Sequence, residues 1–126
     1  IVKEGGLDAL VEANMQRWFS PAFHQQRTNE LAGYSHMFTR TPEGGYLGTG
    51  AAIRDADFRG QAGQITVPTI CVVGEQDGAT PPALVKATAD LIPGASFEVI
   101  ANAGHIPCAE QPAAVSKIIR QLMAQI

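Results

Sequence analysis

Asp77 and His105 are the two residues whose types and spacing carry the strongest chemical signal. Each follows a short run of β-branched and apolar residues, and they lie 28 positions apart. Asp77 sits in Gly74-Glu75-Gln76-Asp77-Gly78, a glycine-flanked turn that lets a carboxylate point away from a strand end. His105 sits in Ala101-Asn102-Ala103-Gly104-His105-Ile106, where Gly104 allows a tight loop to aim the ring. In α/β sheets functional groups collect at the carboxyl ends of the strands, so both residues are expected at one sheet edge. An Asp–His pair suits acyl transfer. The carboxylate accepts the Nδ1 proton, fixes the tautomer and stabilises imidazolium, which leaves the other nitrogen as a general base.

Other groups are weaker candidates. The serines are Ser20, Ser35, Ser96 and Ser116. None stands in the Gly-x-Ser-x-Gly, strand–turn–helix context of a nucleophile elbow. Cys108 shares its loop with His105 and reads as a packing residue rather than a nucleophile. His24 and His36 lack paired carboxylates at metal-ligand spacing. Asp55 and Asp57 sit beside Arg54 and Arg59 and read as local ion pairs. Arg17 reads equally well as a solvated helix residue or as a contact for a substrate carboxylate. Ile106, directly after the histidine, is a candidate substrate contact by position. No metal or organic cofactor is implied.

The elements that must position the pair divide near Pro68. Residues 1–66 read as helices and loops. Leu7, Leu10, Val11, Met15, Trp18 and Phe19 form one apolar stripe at helical spacing, ended by Ser20-Pro21. Further helices are expected over roughly Gln25–Thr39 and Tyr46–Ala56, with Arg59–Ile65 as a connector. In residues 67–126, Thr69–Gly74 is apolar on both faces, as in a parallel strand buried between helical layers. A helix is expected over Pro81–Ile92, a second strand over Ser96–Ile100, a loop over Ala101–Glu110 and a closing helix over Gln111–Ile126. Strand, helix, strand, helix implies an α/β layer architecture.

Two strands are too few for such a sheet, because their open edges would pair with other chains. The residues Ile1–Gly6 also look like a helix entered midway. The expectation is part of a larger fold, with the missing part supplying most of the sheet. Composition agrees with a real core: 45% of residues are hydrophobic and 17% charged. Nine basic against 12 acidic side chains, with no basic cluster, argue against nucleic-acid binding. No run approaches the ~20 apolar residues that span a bilayer. No signal peptide is visible, since Lys3, Glu4 and Asp8 interrupt the start. Two cysteines, Cys71 and Cys108, are expected as reduced thiols in a cytoplasmic protein.

With these residues in view, the chain resembles the C-terminal half of an α/β-hydrolase. The matching words are Val67–Asp77, Ala79-Thr80-Pro81-Pro82, Ile92-Pro93-Gly94-Ala95, Ala103-Gly104-His105-Ile106 and Glu110-Gln111-Pro112. Residues 15–66 resemble the helical cap of the 3-oxoadipate enol-lactonases in Gln16–Phe23 and Ala51–Arg59. The resemblance implies residues 1–66 as a cap and 67–126 as part of the hydrolase core. It implies Asp77 and His105 as two members of a Ser-His-Asp triad, with Trp18 in the cap as a candidate pocket wall. Serine and oxyanion hole would come from an N-terminal half of the same hydrolase, without which this chain would be inactive. The implied reaction is opening of an enol-lactone. A carboxylesterase, a carbon–carbon bond hydrolase and a non-catalytic hydrolase-like binding protein are the alternatives.

Overall fold

The computed structural model describes residues 2–125. The expected helix entry through Ile1 and the last residue of the closing helix, Ile126, lie outside the described residues. The elements run α1 (Val2–Gly5), α2 (Asp8–Trp18), α3 (Pro21–Gln26), α4 (Thr28–Thr39), α5 (Glu43–Asp55), α6 (Arg59–Ala62), β1 (Ile70–Gly74), α7 (Pro82–Ala89), β2 (Ser96–Ile100), α8 (Pro107–Glu110) and α9 (Pro112–Met123).

They form two compact units. One holds the described part of Ile1–Gln16 together with Pro21–Asp57, and the other holds Arg17–Ser20 with the described part of Phe58–Ile126.

The first unit is wholly helical. Its buried side chains include Leu7, Met15, Phe23 and Phe38. Aromatic edges lock its helices: Phe38 and Tyr46 meet edge-on with ring centroids 5.5 Å apart. The Arg27 guanidinium lies 4.7 Å from the centroid of Phe23 and is ion-paired with Glu30. The single helix expected over Gln25–Thr39 is two helices that break at Arg27. That residue leaves the helical basin (φ −124°, ψ 45°), and α3 begins earlier, at Pro21. Proline tolerates the first helical position because the N–H it lacks has no partner there. The third helix likewise starts at Glu43 rather than Tyr46. Pro42 precedes it in extended backbone, and Glu43 supplies an acid to the positive end of the helix.

The second unit is a small α/β layer. β1 and β2 pair in parallel, with Ile70 opposite Ser96 and Gly74 opposite Ile100. α7 connects the two strands and packs on β1. Burial deepens toward the carboxyl end of β1, where Val73 and Gly74 are buried while Ile70, Cys71 and Val72 are half-buried. β2 is the more open strand, with Val99 47% exposed. The expected connector at Arg59–Ile65 contains the short helix α6, and the expected loop at Ala101–Glu110 contains α8, which starts on Pro107. α9 carries the expected stripe of Val115, Ile118, Ile119 and Leu122, yet Ile119 is 53% exposed.

Candidate active site

The two strands end side by side, and their loops are tied together before any side chain is considered. The Glu75 N–H donates to the carbonyl of Ile100 (2.9 Å), and the Gln76 N–H donates to that of Ala103 (2.9 Å). Glycine is required where the loops touch. A Cβ on Gly74 would stand 2.0 Å from the carbonyl oxygen of Gly104, far inside van der Waals contact. One on Gly104 would stand 2.6 Å from the carbonyl oxygen of Trp18. Asn102 completes the turn in the left-handed region, at φ 55°, which asparagine tolerates better than most residues.

On this frame Asp77 is buried and fully engaged. Its Oδ1 accepts the N–H groups of Ala79 (2.7 Å) and Thr80 (2.8 Å). Its Oδ2 accepts the Thr80 hydroxyl (2.9 Å) and faces His105 Nδ1 at 2.9 Å. Burial alone would raise the Asp77 pKa. The hydrogen bonds from His105, from the Thr80 and Ala79 N–H groups and from the Thr80 hydroxyl outweigh it, so the carboxyl is held below its ordinary value. Ionised Asp77 only accepts, which assigns the proton to Nδ1 and leaves Nε2 with a lone pair. The Thr80 hydroxyl oxygen also lies 3.3 Å from Nδ1. Its own proton is committed to Asp77, so it is a second acceptor for Nδ1–H. The His105 side chain is 35% exposed against 4% for Asp77, so the ring reaches outward from a buried carboxylate. That arrangement can hold a neutral imidazole as a base and stabilise it once charged.

The remaining sequence candidates fall in different places. Trp18 is half-buried, and its carbonyl accepts the His105 N–H at 2.7 Å. Ile106 is half-buried and leads into α8. Cys108 is exposed, and both cysteines are free thiols. His24 contacts the Met15 carbonyl through Nε2 (3.0 Å), and His36 is exposed. Asp55 is ion-paired with Arg54 on the surface. Among the described residues no group of three histidine, cysteine or acidic side chains is placed to hold a metal ion. No helix there is long and apolar enough to cross a membrane.

Three residues that the reading of single motifs passed over belong to the site. Thr80 bridges acid and histidine; the Asp-x-x-Thr spacing, which suits a side chain capping its own turn, is the signal for it. Glu110 and Ser20 are buried and bonded to each other beneath the histidine loop. The sequence holds no local signal for that pairing, since 90 positions separate them.

Comparison with known proteins shows what the chain is similar to. The chain is 29% identical over 123 residues to 3-oxoadipate enol-lactonase 2 of Acinetobacter baylyi, covering 98% of this chain and 46% of that protein. It superposes on the crystal structure of the enol-lactonase from Burkholderia xenovorans LB400 with a TM-score of 0.93 at 30% identity, covering 98% of this chain and 47% of that one. A thermophilic esterase from Thermogutta terrifontis matches with a TM-score of 0.90 at 26% identity, over 98% and 46% of the two chains. No protein-family model matches. The chain thus spans about half the length of the relatives it matches. Over almost its entire length it is similar to the 3-oxoadipate enol-lactonases, and its fold is that of the C-terminal half of an α/β-hydrolase.

Proposed function

We propose that this chain supplies the acid and the histidine of a serine hydrolase that opens an enol-lactone of the 3-oxoadipate type, a step in aromatic catabolism. The observation that carries the reading is the 2.9 Å contact of His105 Nδ1 with Asp77 Oδ2 at the ends of two paired parallel strands. His105 Nε2 takes the proton of a serine as its oxygen attacks the lactone carbonyl. His105 then returns that proton to the departing enol oxygen. The same nitrogen next activates water, which releases the acid and restores the serine. Asp77 keeps the tautomer fixed throughout and offsets the charge on the ring.

The serine, with the donors of the oxyanion hole, is assigned to the N-terminal half of the same hydrolase, and this chain alone is inactive. Support comes from the two-stranded sheet and from apolar side chains left open on the second unit: Val99 on β2, and Ile119 and Met123 (69% exposed) on α9. More strands and helices would cover them. Trp18 and Ile106 are assigned to the substrate pocket, residues 1–66 to a cap and residues 67–126 to part of the hydrolase core. Free Cys71 and Cys108 suit a cytoplasmic enzyme.

The test is hydrolysis of the enol-lactone against a panel of simple esters, using the protein as its own gene encodes it and, separately, this chain combined with the N-terminal half. Lactone opening that is lost in His105→Gln supports the proposal. Ester cleavage without lactone opening favours a carboxylesterase, for which the match to the thermophilic esterase speaks. Activity untouched by His105→Gln would sink the triad and leave a binding protein built on a hydrolase half.

A further inference from the structure

Among the described residues three polar side chains are buried: Ser20, Asp77 and Glu110. The proposed chemistry uses Asp77 and leaves the other two unexplained. Glu110, at the end of α8, is 9% exposed, and Ser20 is 1% exposed. The carboxylate of Glu110 gathers donors from two segments. Its Oε1 accepts the Gly104 N–H at 2.7 Å. Its Oε2 accepts the Ser20 hydroxyl at 2.5 Å, and the Ser20 N–H lies 3.3 and 3.2 Å from the two oxygens. A buried carboxylate without a cation beside it is costly unless donors surround it, and here they do.

The donors matter more than their number. Gly104 directly precedes the histidine, and the His105 N–H is itself taken by the Trp18 carbonyl at 2.7 Å. Two consecutive peptide N–H groups of the histidine loop are therefore pinned to the Trp18–Ser20 segment, one directly and one through Glu110. Gly104 has no room to move: a Cβ there would stand 3.0 Å from Oε1 and 2.6 Å from the Trp18 oxygen. With its backbone fixed on one side, His105 can meet Asp77 on the other in a single orientation.

We infer that Glu110 is a positioning residue that clamps the His105 loop onto Ser20 and so sets the height and tautomer of the imidazole over Asp77. This rests on the hydrolase reading for its consequence in catalysis, but the clamp itself is a property of the loop. Glutamine is the informative replacement. Its carbonyl oxygen can still accept from Gly104, and its NH2 can donate to the Ser20 hydroxyl oxygen. Alanine removes every contact.

The experiment combines kinetics with 15N spectroscopy of histidine-labelled protein, as its own gene encodes it, with His105 assigned by loss of its signals in His105→Gln. In the wild type the shifts should report an Nδ1-protonated ring at neutral pH. Glu110→Ala should lose that tautomer preference and lower kcat by about 100-fold with KM changed by less than about threefold, the mark of a misplaced catalytic group. Glu110→Gln should restore most of both. If Glu110→Ala fails to fold, Ser20→Ala carries the test, with a measurable loss of Nδ1 protonation and of kcat while Glu110→Gln stays near wild type, and an unchanged Ser20→Ala overturns the clamp. Unchanged shifts and kcat in folded Glu110→Ala would overturn the clamp. A wild type inactive on lactones and esters, yet showing the tautomer and its loss in Glu110→Ala, would refute the hydrolase reading while upholding the clamp.

Discussion

His105 Nδ1 and Asp77 Oδ2 stand 2.9 Å apart across 28 positions of sequence, joined by the ends of two parallel strands and not by any shared element. The contact is one-sided in burial. Asp77 is sealed beneath the loop with every oxygen occupied, while His105 keeps about a third of its side chain open. An acid that accepts four hydrogen bonds has no freedom to rotate away, so the pair is set before a substrate arrives.

Asp77→Asn should separate orientation from charge. An amide at this position can keep its oxygen toward the N–H groups of Ala79 and Thr80, so the turn survives. Its NH2 then faces Nδ1 and favours the tautomer with the proton on Nε2, which cannot act as the base. The expected loss in kcat is about 10,000-fold, by analogy with the same change in serine proteases. A cooperative unfolding transition in the variant, together with single-turnover rates on an activated ester, would establish that a folded protein has lost the chemistry.

Thr80 should be worth less. Thr80→Val removes the hydroxyl that donates to Oδ2 and accepts from Nδ1, but keeps the backbone N–H on Oδ1. A lost hydrogen bond to a charged group costs about 1.5 kcal/mol, or roughly tenfold in kcat/KM. Thr80→Ser, which keeps the hydroxyl, should lie near wild type in the same assay. Equal losses in both variants would mean that the methyl group, and not the hydroxyl, matters.

The acid limb of stability should report Asp77. Its pKa is lowered in the folded state, so its contribution is fully present above the ordinary carboxylate value of the unfolded chain. That contribution is lost as pH falls through the lowered folded value. Urea midpoints of wild type and Asp77→Asn, compared from about pH 6 down to about pH 2, should converge as the carboxylate protonates. A gap that stays constant over that range would show that the carboxylate's charge has no part in holding the turn.

Much of this site was legible because strand-end chemistry is local. The run Thr69–Gly74 is apolar throughout and bounded by Pro68, and Ser96–Ile100 matches the second strand residue for residue. Once the strands were placed, Asp77 and His105 followed from their glycine-flanked turns. Helix boundaries were less legible. Arg27 breaks a stretch whose apolar spacing continues across it, and Pro21 and Pro42 start helices where a turn is an equally good reading. Glu110 and Ser20 were illegible as a pair for a stronger reason. Each is an ordinary polar residue near a proline, and only the packed structure brings Ser20 to a carboxylate that also holds the Gly104 N–H, six residues before it.

The glycines give a prediction in which local preference and packing oppose each other. Gly48 lies within α5, and a Cβ built there meets nothing within 4 Å. Glycine inside a helix is the entropically expensive choice, so Gly48→Ala should stabilise by about 0.5–1 kcal/mol. Gly74 ends β1, and its φ is not in the left-handed region, so backbone freedom is not what it provides. It provides absence of volume. A methyl group at 2.0 Å from the Gly104 oxygen and 2.4 Å from the Ala103 oxygen must push the histidine loop away from the strand, because both obstacles are backbone. Gly74→Ala should therefore cost more than about 3 kcal/mol, beyond the usual range for a single substitution, and abolish activity in whatever fraction still folds. Chemical unfolding of the two variants side by side is the check. A Gly74→Ala protein as stable as wild type would mean that the strand and the histidine loop are not in the close contact on which the Asp77–His105 geometry depends.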